Sequence, residues 1–334
     1  MINVGIIGYG YWGPNDARNF NTCEVVGLIA ICDLNEKRLN HAQSHYPFIK
    51  RYSDPKDMIS SKDIDVVAVV TPVFTHYELA KFALENGKHI FVEKPLTSNV
   101  AQGEDLINLA EKKGLIIMVD HTFLFTGAVR KMREIIDSGE LGTLYFYDSV
   151  RVNLGLFQHD INVIWDLAPH DFSIMNYLID YEPIALSAWG TEHFGRGLED
   201  VAYVAVHFDN GFIAHFHCNW LSPVKIRKTL ISGSKKMLIW DDLSSDEKVK
   251  IYDKGVKIDN TEGIHKLLVN YRSGDVHVPH IDNAEALKLE IDYFVECIKK
   301  KQKPFNDGEA GLKVVKMLEA ADKSLRDDCK KVKL

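Results

Sequence analysis

The stretch Ile2-Asn-Val-Gly-Ile-Ile-Gly8-Tyr-Gly10-Tyr-Trp-Gly13 decides the fold of the N-terminal part of the chain. It places the spacing G-x-G-x-x-G directly after an apolar run and ahead of a helical pattern. In this motif Gly8 permits a tight turn, Gly10 lets the backbone approach a pyrophosphate, and Gly13 lets the helix pack closely on the strand. The free N–H groups and the dipole at the start of the helix then favour an anion. The stretch therefore predicts a Rossmann domain with a dinucleotide site.

An acidic residue in the right place supports this interpretation. Asp33 lies twenty residues after Gly13, at the end of the second apolar run. A carboxylate there accepts hydrogen bonds from the adenosine ribose and repels a 2′-phosphate, which favours NAD over NADP. Lys37 and Arg38 nearby keep NADP open as the less favoured cofactor. Asp16, in the first helix, is expected to point to solvent, because facing the pyrophosphate would weaken binding.

Short apolar runs alternate with helical patterns over the first third of the chain. The predicted strands are Val4–Ile7, Val25–Ile31, Val66–Val70, His89–Val92 and Ile116–Val119, and the helices between them include Glu36–His45, His76–Glu85 and Val100–Lys112. Continuous apolar strands separated by amphipathic helices indicate a parallel sheet covered on both faces. Right-handed crossovers place the carboxyl ends of all these strands on one edge, where such sheets bind ligands.

The pattern changes after about Asp120. The later chain is predicted to contain helices at Ala128–Ser138, Asp166–Ile179, Ala284–Lys301 and Gly308–Arg326, a strand at Leu144–Asn153, and a mostly β region from Ile184 to Ile251. The turn Asp209-Asn210-Gly211 joins two strands, Val201–Phe208 and Phe212–Trp220, as a hairpin. Consecutive strands joined in this way predict an antiparallel sheet.

Composition excludes several classes of protein. The 334 residues carry 40 basic and 47 acidic side chains, a net charge of −7, and 46% are hydrophobic. The length suffices for two domains of about 100–200 residues, and the acidic balance argues against a nucleic-acid partner. The apolar runs are too short for a membrane span, and no signal-peptide pattern is present. Five scattered cysteines suit a reducing compartment, so we expect a cytoplasmic protein without disulfides or zinc.

Two further segments can carry chemistry. Glu93-Lys94-Pro95 follows the strand His89–Val92 and so lies on the ligand edge of the sheet. Lys94 there would stabilise developing alkoxide charge, or act as a base if burial lowered its pKa. A solvated surface lysine is the structural alternative.

The second segment is Trp165-Asp166-Leu-Ala-Pro169-His170-Asp171, at the start of a predicted helix. With Asp166 as N-cap, Pro169 falls in the first turn, and Asp166 and His170 lie one turn apart on one side. The ordinary pKa of histidine, about 6.5, suits His170 as the base for a hydroxyl proton. Asp166 would orient His170 or the substrate, and Asp171 would accept from another hydroxyl; the alternatives are a structural histidine, a simple N-cap and a structural aspartate.

In this order, Gly8-x-Gly10-x-x-Gly13, Glu93-Lys94-Pro95 and Asp166-x-x-x-His170 resemble the glucose–fructose oxidoreductase/inositol dehydrogenase (Gfo/Idh/MocA) family over nearly the whole chain. The resemblance implies an α/β Rossmann domain, residues 1–122, and an α+β domain with a large, open, mostly antiparallel sheet, residues 123–334, with the last helix packing back on the first domain. It also implies a tightly held NAD(H) or NADP(H) and a sugar or cyclitol hydroxyl as the reacting group. In that family the open sheet commonly packs against another subunit, so a homodimer or homotetramer is expected.

The candidate site residues follow from the motifs and the resemblance together. Expected cofactor contacts are Gly8, Gly10, Tyr11, Trp12, Gly13, Asp33, Arg38, Thr71, Pro72, His76, Glu93 and Lys94. Expected catalytic residues are Lys94, Asp166 and His170, and the further substrate contacts are Asn153, Asp171, Tyr271 and Arg272. No metal site is expected; His215 and His217, with Asn219 on the same strand face, form the weaker metal alternative.

Later segments resemble the family branch that acts on nucleotide-linked sugars. They are Asn153-Leu-Gly-Leu-Phe-Gln-His159-Asp160, Tyr271-Arg272-Ser-Gly-Asp275 and Pro304-Phe-Asn-Asp307-Gly308. The resemblance implies oxidation or ketoreduction at C3 of a UDP- or TDP-linked sugar, with the direction left open. The Arg272 fork suits a diphosphate, and Tyr271 suits stacking on a base or sugar; a surface ion pair is the alternative for Arg272.

Three other functions remain open at this point. One is a non-catalytic, NAD(P)-binding regulator of a sugar pathway, against which the joint presence of Lys94, Asp166 and His170 argues. Another is a dehydrogenase of cyclitols or free sugars. The third is a glycoside hydrolase that uses bound NAD in a transient redox cycle, which would release sugar without net cofactor turnover.

Overall fold

The computed structural model describes residues 1–155, 160–258 and 269–334, without the side chains of Ile29 and of residues 255–272. The chain divides into two units, one of Met1–Phe125 with Ala284–Glu319 and one of Thr126–Asn283 with Ala320–Leu334. The predicted division at residue 122 falls close to Phe125. The assignment of residues 284–319 to the second domain is corrected, because they belong to the first unit.

The elements follow one another in a simple chain order. The strands are β1 Ile2–Ile7, β2 Val26–Cys32, β3 Lys50–Tyr52, β4 Val66–Val69, β5 His89–Glu93, β6 Ile117–Asp120, β7 Leu144–Leu154, β8 Pro183–Thr191, β9 Val201–Phe208, β10 Ile213–Asn219, β11 Leu221–Gly233, β12 Met237–Asp241, β13 Val249–Ile258, β14 Val269–His277 and β15 Val332–Lys333. The α-helices are α1 Gly13–Thr22, α2 Glu36–His45, α3 Pro55–Ile59, α4 His76–Glu85, α5 Val100–Lys113, α6 Gly127–Asp137, α7 Val163–Leu178, α8 Ala286–Lys300 and α9 Gly308–Arg326.

The first unit contains a parallel sheet in the order β3-β2-β1-β4-β5-β6. All of its strand pairs are parallel, so the predicted doubly covered sheet is confirmed. The four residues of β4 are fully buried, as expected for a strand with helices on both faces. The strand order reverses between β1 and β4, and ligands bind such sheets at the carboxyl ends of the strands beside that point.

Helix α8 explains why a C-terminal segment belongs to the first unit. One face of the helix is apolar and buried, through Leu287, Ile291 and Phe294. The ring of Phe294 lies 5.5 Å from the ring of Phe91, in the middle of β5. An amphipathic helix gains stability only against an apolar partner, and here that partner is the Rossmann sheet.

The second unit contains a nine-stranded sheet in the order β14-β13-β12-β11-β7-β10-β9-β8-β15. Its strand pairs are antiparallel except for β7 and β10, which run parallel. The mostly antiparallel sheet expected from the sequence is thereby confirmed. The predicted hairpin joins β9 and β10, with Gly211 at a φ of +81° in the turn.

Helix α7 packs on one face of this sheet. The ring of Phe172 meets the ring of Phe216 on β10 edge to face, with centroids 4.8 Å apart. The opposite face is more open, and it exposes large aromatic side chains such as Trp189 and Tyr203. No helix among the described residues is long and apolar enough to cross a membrane.

Candidate active site

The glycine loop after β1 has the geometry that a dinucleotide requires. Gly8 has a φ of +98°, and a Cβ there would lie 2.1 Å from the carbonyl oxygen of Val70. A Cβ on Gly13 would lie 2.2 Å from the carbonyl oxygen of Gly8, so both positions exclude any larger residue. A Cβ on Gly10 would meet only the Arg38 guanidinium, 3.8 Å away. The backbone of the loop is therefore open to a pyrophosphate where the motif predicts it, and the cofactor fits this cradle.

Asp33 follows β2 and lies against the same loop. Its carboxylate accepts hydrogen bonds from the backbone N–H groups of Tyr9 and Asn35, each at 2.8 Å, and its Oδ2 lies 3.5 Å from the Arg38 guanidinium. Oδ1 has a second lone pair left for a ribose hydroxyl, whereas Oδ2 also accepts from Arg38. The two donors fix the rotamer of Asp33, whereas Arg38 is half exposed. The side chain of Tyr11 is 91% exposed beside the loop.

The residues after β4 include the partly exposed Thr71, the exposed Pro72 and the buried His76. Thr71 and Pro72 lie at the carboxyl end of the strand, and the Thr71 hydroxyl exchanges a hydrogen bond with the Thr75 hydroxyl at 2.7 Å. His76 is fully buried, with ring nitrogens 2.8 Å from the carbonyl oxygen of Thr71 and 2.9 Å from that of Pro95. Burial lowers the pKa of His76. The geometry therefore disfavours direct cofactor contact by His76 and makes it a link between Thr71 and Pro95.

Glu93 and Lys94 stand at the carboxyl end of β5, on the ligand edge of the sheet. Both side chains are partly buried, and the peptide bond from Lys94 to Pro95 is cis. Burial, and next the neighbouring carboxyl of Asp120, raise the pKa of Glu93 well above its ordinary value. The positive charge of Lys94 acts against that rise, which places an ammonium beside a carboxyl group at this edge.

Residues that the motif search missed lie directly beside this pair. Asp120 ends β6, and its carboxylate accepts a hydrogen bond from the indole of Trp12 in the glycine loop at 3.2 Å. His121 follows it, and burial lowers the pKa of His121 to about 3. The signal in the sequence is the polar pair Asp120-His121 at the end of an apolar strand, because it lies on the same sheet edge as Glu93.

The expectation that Asp16 points to solvent is wrong. Its side chain is fully buried, and neither carboxylate oxygen has a hydrogen-bond partner among the described residues. Burial, and next the carboxyls of Asp120 and Glu93, raise the pKa of Asp16 well above its ordinary value. The helix start points this residue inward because positions 16, 17 and 20 of α1 form the buried face.

Helix α7 carries the candidate catalytic residues of the second unit. It begins at Val163 rather than at Asp166, because Asn162 is the N-cap and its side chain accepts from the N–H groups of Ile164 and Trp165. Asp166 is therefore not the N-cap, and Pro169 lies inside the helix rather than in its first turn. The carboxylate of Asp166 accepts a hydrogen bond from the indole of Trp220 at 2.9 Å, which fixes its orientation one turn before His170.

Asp171 is committed to another partner. Its two carboxylate oxygens accept from Nε and a terminal nitrogen of Arg151, at 2.7 and 3.0 Å, and both side chains are buried. This bidentate pair joins α7 to β7 inside the second unit. Asp171 is only 2% exposed and each of its oxygens already accepts from Arg151, so the geometry disfavours the predicted contact with a sugar hydroxyl.

The structure describes the remaining predicted substrate contacts only in part. Asn153 lies near the end of β7 with a partly buried side chain. Residues 156–159, in the segment that resembles the nucleotide-sugar branch, lie outside the described residues. The backbone of Tyr271 and Arg272 is in β14, but their side chains lie outside the described part of the chain. The predicted roles of these residues stay predictions.

The histidines of β10 have ordinary partners on the sheet. His215 lies 3.0 Å from a carboxylate oxygen of Asp148, and the ring of His217 stacks on Tyr203 with centroids 4.3 Å apart. Within the described residues, no group of three or more histidine, cysteine or acidic side chains is arranged to hold a metal.

The sheet order, the glycine loop and Asp33 define the class: an oxidoreductase built on an NAD-binding Rossmann domain. Residues 2–121 match the model of the oxidoreductase family with this NAD-binding fold, and residues 129–239 match the GFO/IDH/MocA C-terminal domain. The chain belongs to the Gfo/Idh/MocA family. It is an NAD-dependent oxidoreductase that acts on CH–OH groups.

Individual relatives differ in substrate. The chain is 25% identical to myo-inositol 2-dehydrogenase of Thermotoga maritima, over 98% of this chain and 97% of the relative. It is 24% identical to UDP-N-acetylglucosamine 3-dehydrogenase of Acidithiobacillus ferrooxidans, over 94% of each chain. The solved WlbA dehydrogenase of Bordetella pertussis, in complex with NADH and UDP-GlcNAcA, is similar in fold with a TM-score of 0.83 at 17% identity, over 100% of this chain and 97% of that one.

Proposed function

We propose that this enzyme transfers a hydride between NAD and C3 of a UDP- or TDP-linked sugar. The observation that carries the proposal is the position of Lys94 at the carboxyl end of β5, on the sheet edge that also presents the glycine loop and Asp33. The bound nicotinamide supplies the hydride acceptor or donor. The relative that acts on UDP-N-acetylglucosamine supports the choice of a nucleotide-linked substrate.

The proposed roles of the chain's own residues follow from charge and position. Lys94 stabilises the alkoxide that develops as the hydroxyl proton leaves, and the oriented carboxylate of Asp166 holds His170 or a neighbouring hydroxyl. The hydroxyl proton passes to His170 or to Lys94. These two assignments differ in the pH dependence of kcat, because a histidine base titrates near 6.5 and a lysine base does so only after its pKa has been lowered.

The central test is Lys94→Met with a panel of UDP- and TDP-sugars. We expect the wild type to change the absorbance of the nicotinamide with one of these sugars, and the variant to lose at least about a hundredfold in kcat, since oxyanion stabilisation of this kind is worth about 10²–10³. Lys81→Met is the matched control, because Lys81 pairs with Asp105 on the surface of the same unit. Equal turnover of Lys94→Met and Lys81→Met would refute the role of Lys94.

A cyclitol dehydrogenase is the second candidate, and the full-length similarity to inositol dehydrogenases favours it. The same assay with myo-inositol and scyllo-inositol separates the two. Arg272→Gln adds an independent readout: if Arg272 pairs with a diphosphate, the variant raises KM for the nucleotide-linked sugar and leaves kcat nearly unchanged. Turnover of inositols but of no sugar nucleotide would replace the first proposal by the second.

A further inference from the structure

Four carboxyl groups converge beneath the carboxyl edge of β5 and β6 in the first unit. This acid cluster consists of Asp16 from α1, Glu93 from β5, Asp120 from β6 and Glu290 from α8. Glu290 is fully buried on the otherwise apolar face of its helix, and Asp120 is 2% exposed. Four charges could not be held together there without several counter-ions, because desolvated like charges repel strongly.

Asp120 is the member that receives the most hydrogen-bond donors from the described residues. Its Oδ2 accepts from the indole N–H of Trp12 at 3.2 Å, and its Oδ1 accepts from the backbone N–H of Thr122 at 3.2 Å and from the Thr122 hydroxyl. Three donors directed at one carboxyl group favour its ionised form. None of the other three members receives as many donors from the described residues.

The other three members hold protons. Burial, and next the charge of Asp120, raise the pKa of both Glu93 and Glu290, so their neutral forms are favoured beside an ionised Asp120. Burial raises the pKa of Glu290 well above its ordinary value. Asp16 is fully buried, and neither of its carboxylate oxygens has a side-chain or backbone partner within hydrogen-bond geometry among the described residues, so its neutral form is favoured.

Among the described residues, the other charged or titratable groups that act on the cluster are Lys94 and His121. Lys94 directly follows Glu93, the last residue of β5, and its positive charge acts to lower the pKa of both Glu93 and His121. His121 is buried and its pKa is lowered to about 3, so it is neutral at physiological pH. Asn306 adds a neutral contact, since its amide donates to Glu290 at 3.0 Å.

The cluster lies on the nicotinamide side of the Rossmann sheet. Asp33 after β2 marks the half that takes the adenosine, and the fold consists of two mononucleotide-binding halves around the strand reversal. The other half, β4 to β6, therefore takes the nicotinamide, and Glu93 and Asp120 end two of its strands. Trp12 connects the cluster to the glycine loop itself.

We propose that Asp120 sets the redox preference of the cofactor site, favouring NAD⁺ over NADH through one buried negative charge. The proposal rests on the use of NAD and on no particular sugar. The nicotinamide ring is positive in NAD⁺ and neutral in NADH, so only the oxidised form gains from a nearby carboxylate. Because Asp120 acts through the field and through Trp12, it is a positioning residue and not a catalytic one.

The test compares three ligands on protein freed of bound nucleotide: NAD⁺, NADH and ADP-ribose, which lacks the nicotinamide. Asp120→Asn should lower the ratio Kd(NADH)/Kd(NAD⁺) by about tenfold, the order of size expected for one buried unit charge that acts on the ring from a distance of about 10 Å. The Kd of ADP-ribose should stay within about twofold, because the adenosine half is untouched. Calorimetry or nicotinamide fluorescence gives the constants without any substrate.

Asp16→Asn is the matched control, because it replaces a neutral buried acid of the same cluster by a neutral amide. It should leave the ratio unchanged. Equal changes in the Kd of NAD⁺ and NADH in Asp120→Asn, or the same ratio shift in Asp16→Asn, would overturn the role of Asp120. Failure of the wild type to bind any of the three ligands would refute the cofactor assignment, and this role with it.

A second pair of variants allows the same comparison if Asp120→Asn alone fails to fold. In Asp120→Asn, the amide NH₂ can face the indole N–H of Trp12, which would place two hydrogen-bond donors against each other. Trp12→Phe removes that donor, so Trp12→Phe with Asp120→Asn is compared with Trp12→Phe alone. The same fall in the ratio is expected between these two, and an unchanged ratio would overturn the proposal.

Discussion

Asp16 shows at the scale of one residue how burial changes chemistry. A carboxylate in the first turn of a helix is ordinarily favourable and exposed, but here the side chain turns inward to the acid cluster. The helical period predicts that Asp16 shares a face with Ala17 and Phe20, but it does not predict that this face is the buried one. The tertiary structure shows that it is. The consequence is a proton held in the folded state.

The pH dependence of stability follows from that proton. Asp16 has a folded-state pKa well above its ordinary value, so the folded chain holds a proton that the unfolded chain loses above about pH 4. Stability therefore falls as the pH rises, by about 1.4 kcal/mol per pH unit for one such group. Asp16→Asn removes this loss, so its gain in the free energy of unfolding over the wild type should grow between pH 5 and 8. Urea denaturation at several pH values measures this gain, and a constant difference would contradict it.

At the scale of elements, helix α7 shows what a sequence pattern can and cannot locate. The helix was predicted from Asp166 because Pro169 suits a first turn, yet it begins a turn earlier behind Asn162. A proline inside a helix removes one hydrogen bond, and that local cost is outweighed by the packing of a face that includes Phe172 against β10. Local propensity yields to tertiary packing at this point.

The buried pair of Arg151 and Asp171 fixes α7 to β7, and its loss should be severe. Asp171→Asn leaves the Arg151 guanidinium buried without a countercharge, which costs about 3–5 kcal/mol. Asp180→Asn, which breaks the exposed pair with Arg133 in the same unit, should cost less than about 1 kcal/mol. Chemical denaturation compares the two. If Asp171→Asn were as stable as the control but raised KM for the sugar, the substrate role would be restored.

At the scale of the whole molecule, the open face of the nine-stranded sheet suggests self-association. Trp189 and Tyr203 expose 47% and 49% of their surface on this face of the sheet. Exposed aromatic side chains of this kind are typical of interfaces between subunits. A homodimer or homotetramer therefore remains our prediction.

Tyr203→Glu tests the prediction, because a charge in the centre of an apolar interface is costly. We expect the wild type to elute as a dimer or tetramer in size-exclusion chromatography with light scattering, and the variant to dissociate. Tyr181→Glu is the control: Tyr181 lies in the second unit beside Phe212, outside β7 to β10. A monomeric wild type would contradict the prediction outright.

The sequence by itself determined the Rossmann sheet, the glycine loop and Asp33, because strand period, turn glycines and an acidic residue after β2 are local signals. It also determined the mostly antiparallel second sheet from the hairpin turn and the alternating strands. Only the tertiary structure decided that α8 belongs to the first unit, that Asp16 is buried beside Asp120 and Glu290, and that Asp171 pairs with Arg151. These are contacts between residues far apart in the chain, and a residue's own sequence neighbourhood does not specify which distant side chain will face it.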